Sequence, residues 1–219
     1  MSVAAVHWGR LGEVLTELSA LPAPEPDLAA WATRTGTPDG AFPLLGASTR
    51  AETYVALLWN GERCRRAGLG LDAGLTLVGL AVGAEHGRSA AELSDALADV
   101  LAARASVAAP PSPVAGLSTD VLAAAALAAR LAGVPAAQEP ALLDLAASLM
   151  VITPPGPSAE PVAGHALAAG WLALRARQAG IAGMAGGLAH TLAVVSGTPA
   201  PFDRAPSDVE LSAIVGALS

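Results

Sequence analysis

The chain has 219 residues and a mass of 21.5 kDa, and 53% of its residues are hydrophobic, 14% charged and 3% aromatic. With 53 Ala and 32 Leu it is rich in strong helix formers and poor in strand formers, which excludes an all-β fold, and it is too apolar for intrinsic disorder. All 12 basic residues are Arg, the net charge is −7 and the pI is about 5.0. The absence of Lys excludes a P-loop lysine or a Schiff base, and the acidic balance argues against nucleic-acid binding. The lone Cys64 excludes an internal disulfide and any CxxC motif.

The N-terminal stretch is interrupted by Arg10, Glu13 and Glu17 and lacks a basic region followed by an apolar core, so no signal peptide and a cytoplasmic location are expected. Residues 5–20 predict a first amphipathic helix. LPAPEP (21–26) breaks it, Asp27 is a candidate cap for a short helix through Trp31, and residues 35–48 predict a loop. Three capping boxes are expected, Thr49-x-x-Glu52, Ser89-x-x-Glu92 and Ser207-x-x-Glu210. Helices are predicted over 50–66, 71–85, 89–106, 119–133, 139–151, 160–179, 185–196 and 207–218. From Ala73 to Ala84 the only polar side chain is Thr76, and from Val121 to Ala129 there is none. Helices without a polar face belong inside a bundle. The longest uncharged stretch, 178–202, is Gly-rich and contains His190, which argues against a membrane span despite the mean hydropathy of +0.51. These signals predict one all-α domain over 1–219, a multi-helix bundle of about eight to ten helices.

Generic catalytic motifs are missing: HExxH, GxSxG, GxGxxG and an EF-hand loop are all absent. The four histidines, His7, His86, His165 and His190, have no metal-ligand spacing, so neither a metal nor a cofactor is expected.

Residues 54–92 contain Asn60-Gly61 after an apolar helix, a second apolar helix, Gly87-Arg88-Ser89 and then Ala91-Glu92-Leu93. Residues 116–150 carry an Ala-rich run, an Arg130-Leu131-x-Gly133 turn and Ala146-Ala147-Ser148-Leu149. Residues 161–181 form a small-residue helix ending in Ala179-Gly180-Ile181. Taken in order, this set resembles the helical domain of the MmgE/PrpD family, which includes 2-methylcitrate dehydratase, cis-aconitate decarboxylase and an iminodisuccinate epimerase. The resemblance covers about residues 35–190. It implies an all-α fold with a cavity in the corresponding place, and no metal or bound cofactor. Family members are about twice this length and carry a second, α+β domain. Their catalytic aspartate and histidine have no clear counterparts here: Gly68 to Asp72, Gly116 to Asp120 and Glu160 to Val162 stand at those positions, and His165 is shifted relative to the family histidine. The family's dehydratase mechanism is therefore not carried over.

The residues themselves nominate a small set. Asp72 precedes the apolar helix 73–84, where it serves either as an N-cap or as a general acid or base. His165 lies in an otherwise apolar helix, as a hydrogen-bonded histidine or as a proton carrier. These two are the candidate catalytic residues. Trp59, Asn60, Arg65, Arg66 and Trp171 are the candidate substrate-binding residues. Arginines pair carboxylates bidentately, and tryptophans line apolar cavities or pack in cores. Asn60 is the only Asn, and Gly61 beside it marks either a helix end or a close backbone approach. Cys64, with two arginines after it, is read as structural.

Two functions are consistent with these readings. One is a cofactor-free lyase, isomerase or cyclase acting on a small organic acid or an apolar metabolite, in bacterial specialised metabolism. The other is a non-catalytic helical subunit or binding protein derived from such an enzyme. A filled interior would favour the subunit, and an enclosed pocket lined by inward polar groups would favour the enzyme. In either case the face left open without a second domain predicts a homodimer or a hetero-oligomer.

Overall fold

The computed structural model describes residues 3–106, 119–151 and 163–196. Among them lie nine α-helices: α1 (Val3–Ser19), α2 (Pro26–Thr35), α3 (Thr53–Arg66), α4 (Leu71–Glu85), α5 (Ala90–Ser106), α6 (Asp120–Ala132), α7 (Glu139–Ala147), α8 (Ala163–Gln178) and α9 (Gly187–Ser196). The all-α bundle expected from composition is what forms. The loop predicted over 35–48 contains one addition, a two-stranded antiparallel ladder of β1 (Phe42–Pro43) and β2 (Arg50–Ala51), in which Phe42 faces Ala51 and Pro43 faces Arg50.

Local chemistry sets most boundaries. At the start of α5 the Ser89 N–H donates to Glu92 Oε2 at 2.8 Å and the Glu92 N–H donates to Ser89 Oγ at 3.3 Å, so this capping box is formed. The one expected at Thr49 and Glu52 is not. α3 starts three residues later than predicted, Glu52 precedes it without a side-chain cap, and the Thr49 hydroxyl is buried without a partner because residues 50–51 are used by the ladder. The box at Ser207 and Glu210 lies outside the described residues. α2 begins at Pro26 after Glu25, so Asp27 sits inside the first turn rather than capping it, and the helix runs past Trp31 to Thr35. α6 ends at Gly133 with φ of 71°, and the Val134 N–H returns to the Ala129 carbonyl at 2.9 Å. Gly supplies the left-handed turn that β-carbon-bearing residues resist. α7 stops at Ala147, short of the predicted Val151.

α4 and α6, the helices without a polar face, are the buried ones. Residues 73–79 of α4 and Val121–Ala125 of α6 are all buried. The third interior helix is α8, which lies against α3, α4 and α6. It fits because glycines remove the side chains that would hold it off. A β-carbon on Gly61 of α3 would stand 2.5 Å from Gly164 Cα, one on Gly170 would stand 2.7 Å from the Ala125 nitrogen of α6, and one on Gly164 would overlap the Leu58 carbonyl. The Asn60-Gly61 pair therefore marks a close backbone approach, not a helix end, and α3 continues for five residues to Arg66.

The buried side chains fall into two groups. The larger core joins α1 and α3 to α9, with Leu57, Leu75, Leu127, Leu142, Leu174 and Leu188 fully enclosed. A smaller core of Leu28, Ala32, Leu44, Ala51, Ala56 and Trp59 lies between α2, the ladder and one face of α3.

Candidate functional site

Trp59, Asn60 and Arg63 share one face of α3, at i, i+1 and i+4, and all three are buried. The Trp59 indole N–H donates to the Leu28 carbonyl at 3.0 Å. The Asn60 amide accepts from the Leu45 N–H at 2.8 Å and donates to the Pro43 carbonyl at 2.9 Å. The Arg63 guanidinium donates to the Pro22 carbonyl, lies 5.8 Å from the centre of the Trp59 ring and is 3.5 Å from a Glu25 carboxylate oxygen. Of the expected substrate-binding residues, Trp59 and Asn60 thus grip the chain's own backbone. Arg63 was not singled out from its arginine cluster. The legible signal was its position one helical turn from Trp59 and Asn60.

Arg65 and Arg66 are closed on carboxylates within the chain. Arg65 Nε and Nη2 reach the two oxygens of Glu62 at 2.9 and 2.6 Å. Arg66 Nε reaches Glu62 Oε1 at 2.9 Å, and its terminal nitrogens reach Asp27 at 2.9 and 3.0 Å. The hydrogen bonds from Arg65, then Arg66, hold the Glu62 carboxyl below its ordinary value. The Arg66 hydrogen bond does the same for Asp27, and the two carboxylates in turn raise Arg66. A carboxylate substrate would have to displace Glu62 to be clamped here.

α4 and α8 run side by side in the same direction, with Gly74 against Leu167 near their starts and Glu85 3.7 Å from Arg175 near their ends. Asp72 and His165 therefore occupy the same end of the bundle, and the short 67–70 turn sets Arg65 and Arg66 at that end too. Asp72 lies in the first turn of α4, where a negative charge suits the helix dipole. Its carboxylate accepts from the Ala73 N–H at 2.9 Å, and its carbonyl accepts from the Thr76 hydroxyl at 2.7 Å. His165 Nε2 is 3.1 Å from the Leu149 carbonyl, tying the start of α8 to the turn after α7. Trp171 lies nearly two turns further along α8. It is half-buried, its indole N–H has no partner, and the Arg175 guanidinium is 5.6 Å from the ring centre.

Burial pushes the Cys64 thiol up to about 11, against the opposing pull of the Arg63 charge, so no nucleophilic thiolate is available at neutral pH. One buried carboxylate that sequence reasoning passed over is Asp144 of α7. It accepts from the Gly186 N–H at 3.0 Å and the Leu188 N–H at 2.9 Å, and so caps α9 across 42 residues of chain. No local pattern announces a cap supplied from so far away. Among the described residues, no group of three or more His, Cys, Asp or Glu side chains is placed to hold a metal ion, and no helix is long and apolar enough to cross a membrane.

The fold and site together define an all-α bundle whose polar side chains mostly serve the chain's own backbone. Comparison of the sequence and fold with family models, curated proteins and solved structures gives no match.

Proposed function

We propose that this chain is a non-catalytic helical subunit that works by association, built like the helical domain of MmgE/PrpD enzymes. One observation carries the reading: four of the five groups nominated for substrate recognition, all but Trp171, have their polar atoms engaged inside the chain. Asn60 and Trp59 hold the backbone of residues 28–45, and Arg65 and Arg66 are closed on Glu62 and Asp27. The interior between α3, α6 and α8 adds support, because its helices meet through glycine with no room for an additional β-carbon. The kinship with the MmgE/PrpD helical domain is part of the proposal and rests on the ordered motifs of residues 35–190.

The surface also supports association. Five large apolar side chains among the described residues are exposed, and four of them, Val151, Leu172, Ile181 and Met184, fall between the end of α7 and the start of α9. Met184 is 67% and Ile181 54% exposed, which suits a surface covered by another copy of the chain.

The alternative, a cofactor-free lyase, isomerase or cyclase, draws on a different observation: Asp72, His165 and the arginine pair share one end of the bundle.

Sedimentation velocity and thermal shift on the purified chain separate the two. The subunit reading expects self-association that Ile181→Asp and Met184→Asp abolish, with no rise in Tm from small di- and tricarboxylates or from apolar metabolite-like compounds. A ligand-dependent rise in Tm that Asp72→Asn or His165→Ala removes would overturn it in favour of the enzyme, since only a ligand of the native state stabilises by mass action.

A further inference from the structure

Residues 20–52 stand apart from the rest of the molecule in how they are held. They comprise the α1–α2 connection, α2, the β1–β2 ladder and the turns between. Their buried side chains, Leu28, Ala32, Leu44 and Ala51, belong to the smaller core, which is completed by Ala56 and Trp59 of α3. Half-buried Phe42 and Leu45 touch both cores and Leu21, at the start of the segment, packs on the main core, while the opposite face of α3 is fixed in the main core through Leu57 and Cys64 and by the contact of Gly61 with α8. Removing the smaller core would therefore leave α3 seated in the bundle.

The polar attachments follow the same division. They run from one stripe of α3 to the main chain of the segment: Trp59 to the Leu28 carbonyl, Asn60 to the Pro43 carbonyl and the Leu45 N–H, and Arg63 to the Pro22 carbonyl. Two ion pairs join side chains of the segment to α3, Glu25 to Arg63 at 3.5 Å and Asp27 to Arg66 at 2.9 Å. Once these let go, the segment keeps only short-range support: Leu28, Ala32, Leu44 and Ala51 without Trp59, the Thr37–Arg50 bridge beside the ladder, and Arg50 on the Gly40 and Ala41 carbonyls. α2 has 10 residues, below the roughly 12–15 that an isolated helix needs, and a ladder of two residues per strand does not persist alone.

We propose that residues 20–52 form a strap that releases from α3 as a single unit while the helical bundle stays folded. Release uncovers the helix face that carries the Trp59 indole N–H, the Asn60 carboxamide and the Arg63 guanidinium, and these lose their main-chain partners in the strap. The strap is anchored at one end by α1, whose Leu11, Val14 and Leu18 lie in the main core, and at the other by α3, so the opening is that of a tethered loop.

Native-state hydrogen exchange on the full chain tests this. The reporters are the Leu45 N–H and the Trp59 indole N–H for the strap, and the central amides of α6 and α8 for the bundle. The strap reporters are expected to exchange together, at least about 10-fold faster than the bundle amides in the absence of denaturant, and with a shallower denaturant dependence because less surface is exposed. Leu131→Ala, which cuts the main core, should speed bundle exchange by about 30-fold or more and leave the strap reporters within about 2-fold. Asn60→Ala should speed both, because it weakens the closed state relative to the open and the unfolded states alike. The proposal is overturned if strap and bundle reporters share one rate and one denaturant slope in the unaltered chain, or if Leu131→Ala accelerates both equally.

Discussion

Single side chains in this protein are best understood by asking what their polar atoms touch. Asn60 looked like a recognition residue because it is the only Asn and sits beside a glycine. Its amide instead accepts from Leu45 and donates to Pro43, and a hydrogen-bond partner at both ends is how a polar side chain survives in a core. Cys64 shows how two environments compete. Arginines follow it in sequence and would lower a thiol's pKa, but the side chain points into the main core and desolvation outweighs the charge of Arg63. The folded protein should therefore react with a thiol reagent at neutral pH orders of magnitude more slowly than the denatured chain. Rapid, complete labelling of the native state would contradict the burial of this group. The arginines were legible from sequence. The direction in which Cys64 points was not, because it depends on which face of α3 meets α8.

At the scale of elements, helix existence and order were legible from residue spacing, and the misplacements have local causes. α3 was expected from position 50, but residues 50–51 pair with 42–43, and this pairing withdraws Thr49 from its capping role. The partner strand lies only a few residues away in sequence, yet at two residues per strand it shows no alternation to read. Gly170 illustrates a packing requirement that composition conceals. By helix propensity alone Gly170→Ala should stabilise α8 by about 1 kcal/mol. The new β-carbon would stand 2.7 Å from the Ala125 nitrogen, however, and backbone does not yield as a flexible side chain does. The expected outcome is a net destabilisation of about 1–3 kcal/mol in guanidinium unfolding, in the range of overpacked cores. A gain in stability would mean that α6 and α8 are further apart than described.

The whole molecule carries a net charge of −7, and three of its carboxylates are held below their ordinary values: Glu62 by arginines of its own helix, Asp27 by Arg66 of another helix and Glu92 by its capping contacts with Ser89. A carboxylate whose native pKa is lowered binds protons more readily in the unfolded chain, so it contributes stability above the unfolded value and loses it as pH falls through the native one. For Glu62 the ordinary value is 4.5, so acid destabilisation should set in as pH drops past that point and level off below the lowered native value. Glu62→Gln should flatten this limb in a Tm-against-pH series. At neutral pH it should cost about 0.5–1 kcal/mol, the scale of a partly exposed ion pair. An acid limb unchanged by the substitution would mean that other carboxylates, such as Glu92 and Asp27, govern it. The exposed apolar side chains Val151, Leu172, Ile181 and Met184 belong to this scale as well, since the proposed self-association rests on them.

Composition and spacing were enough to determine an all-α bundle, the order of its helices and the burial of α4 and α6. Those properties follow from propensity and periodicity, which act over a few residues. The tertiary structure decided what the nominated residues do. It turned the stripe of Trp59, Asn60 and Arg63 toward the backbone of the strap, closed Arg65 and Arg66 on Glu62 and Asp27, set Asp72 and His165 at one end, and gave α9 a cap from Asp144. Each of those outcomes depends on which helix faces which across tens of residues, and contacts between distant segments leave no periodic trace in the chain that makes them.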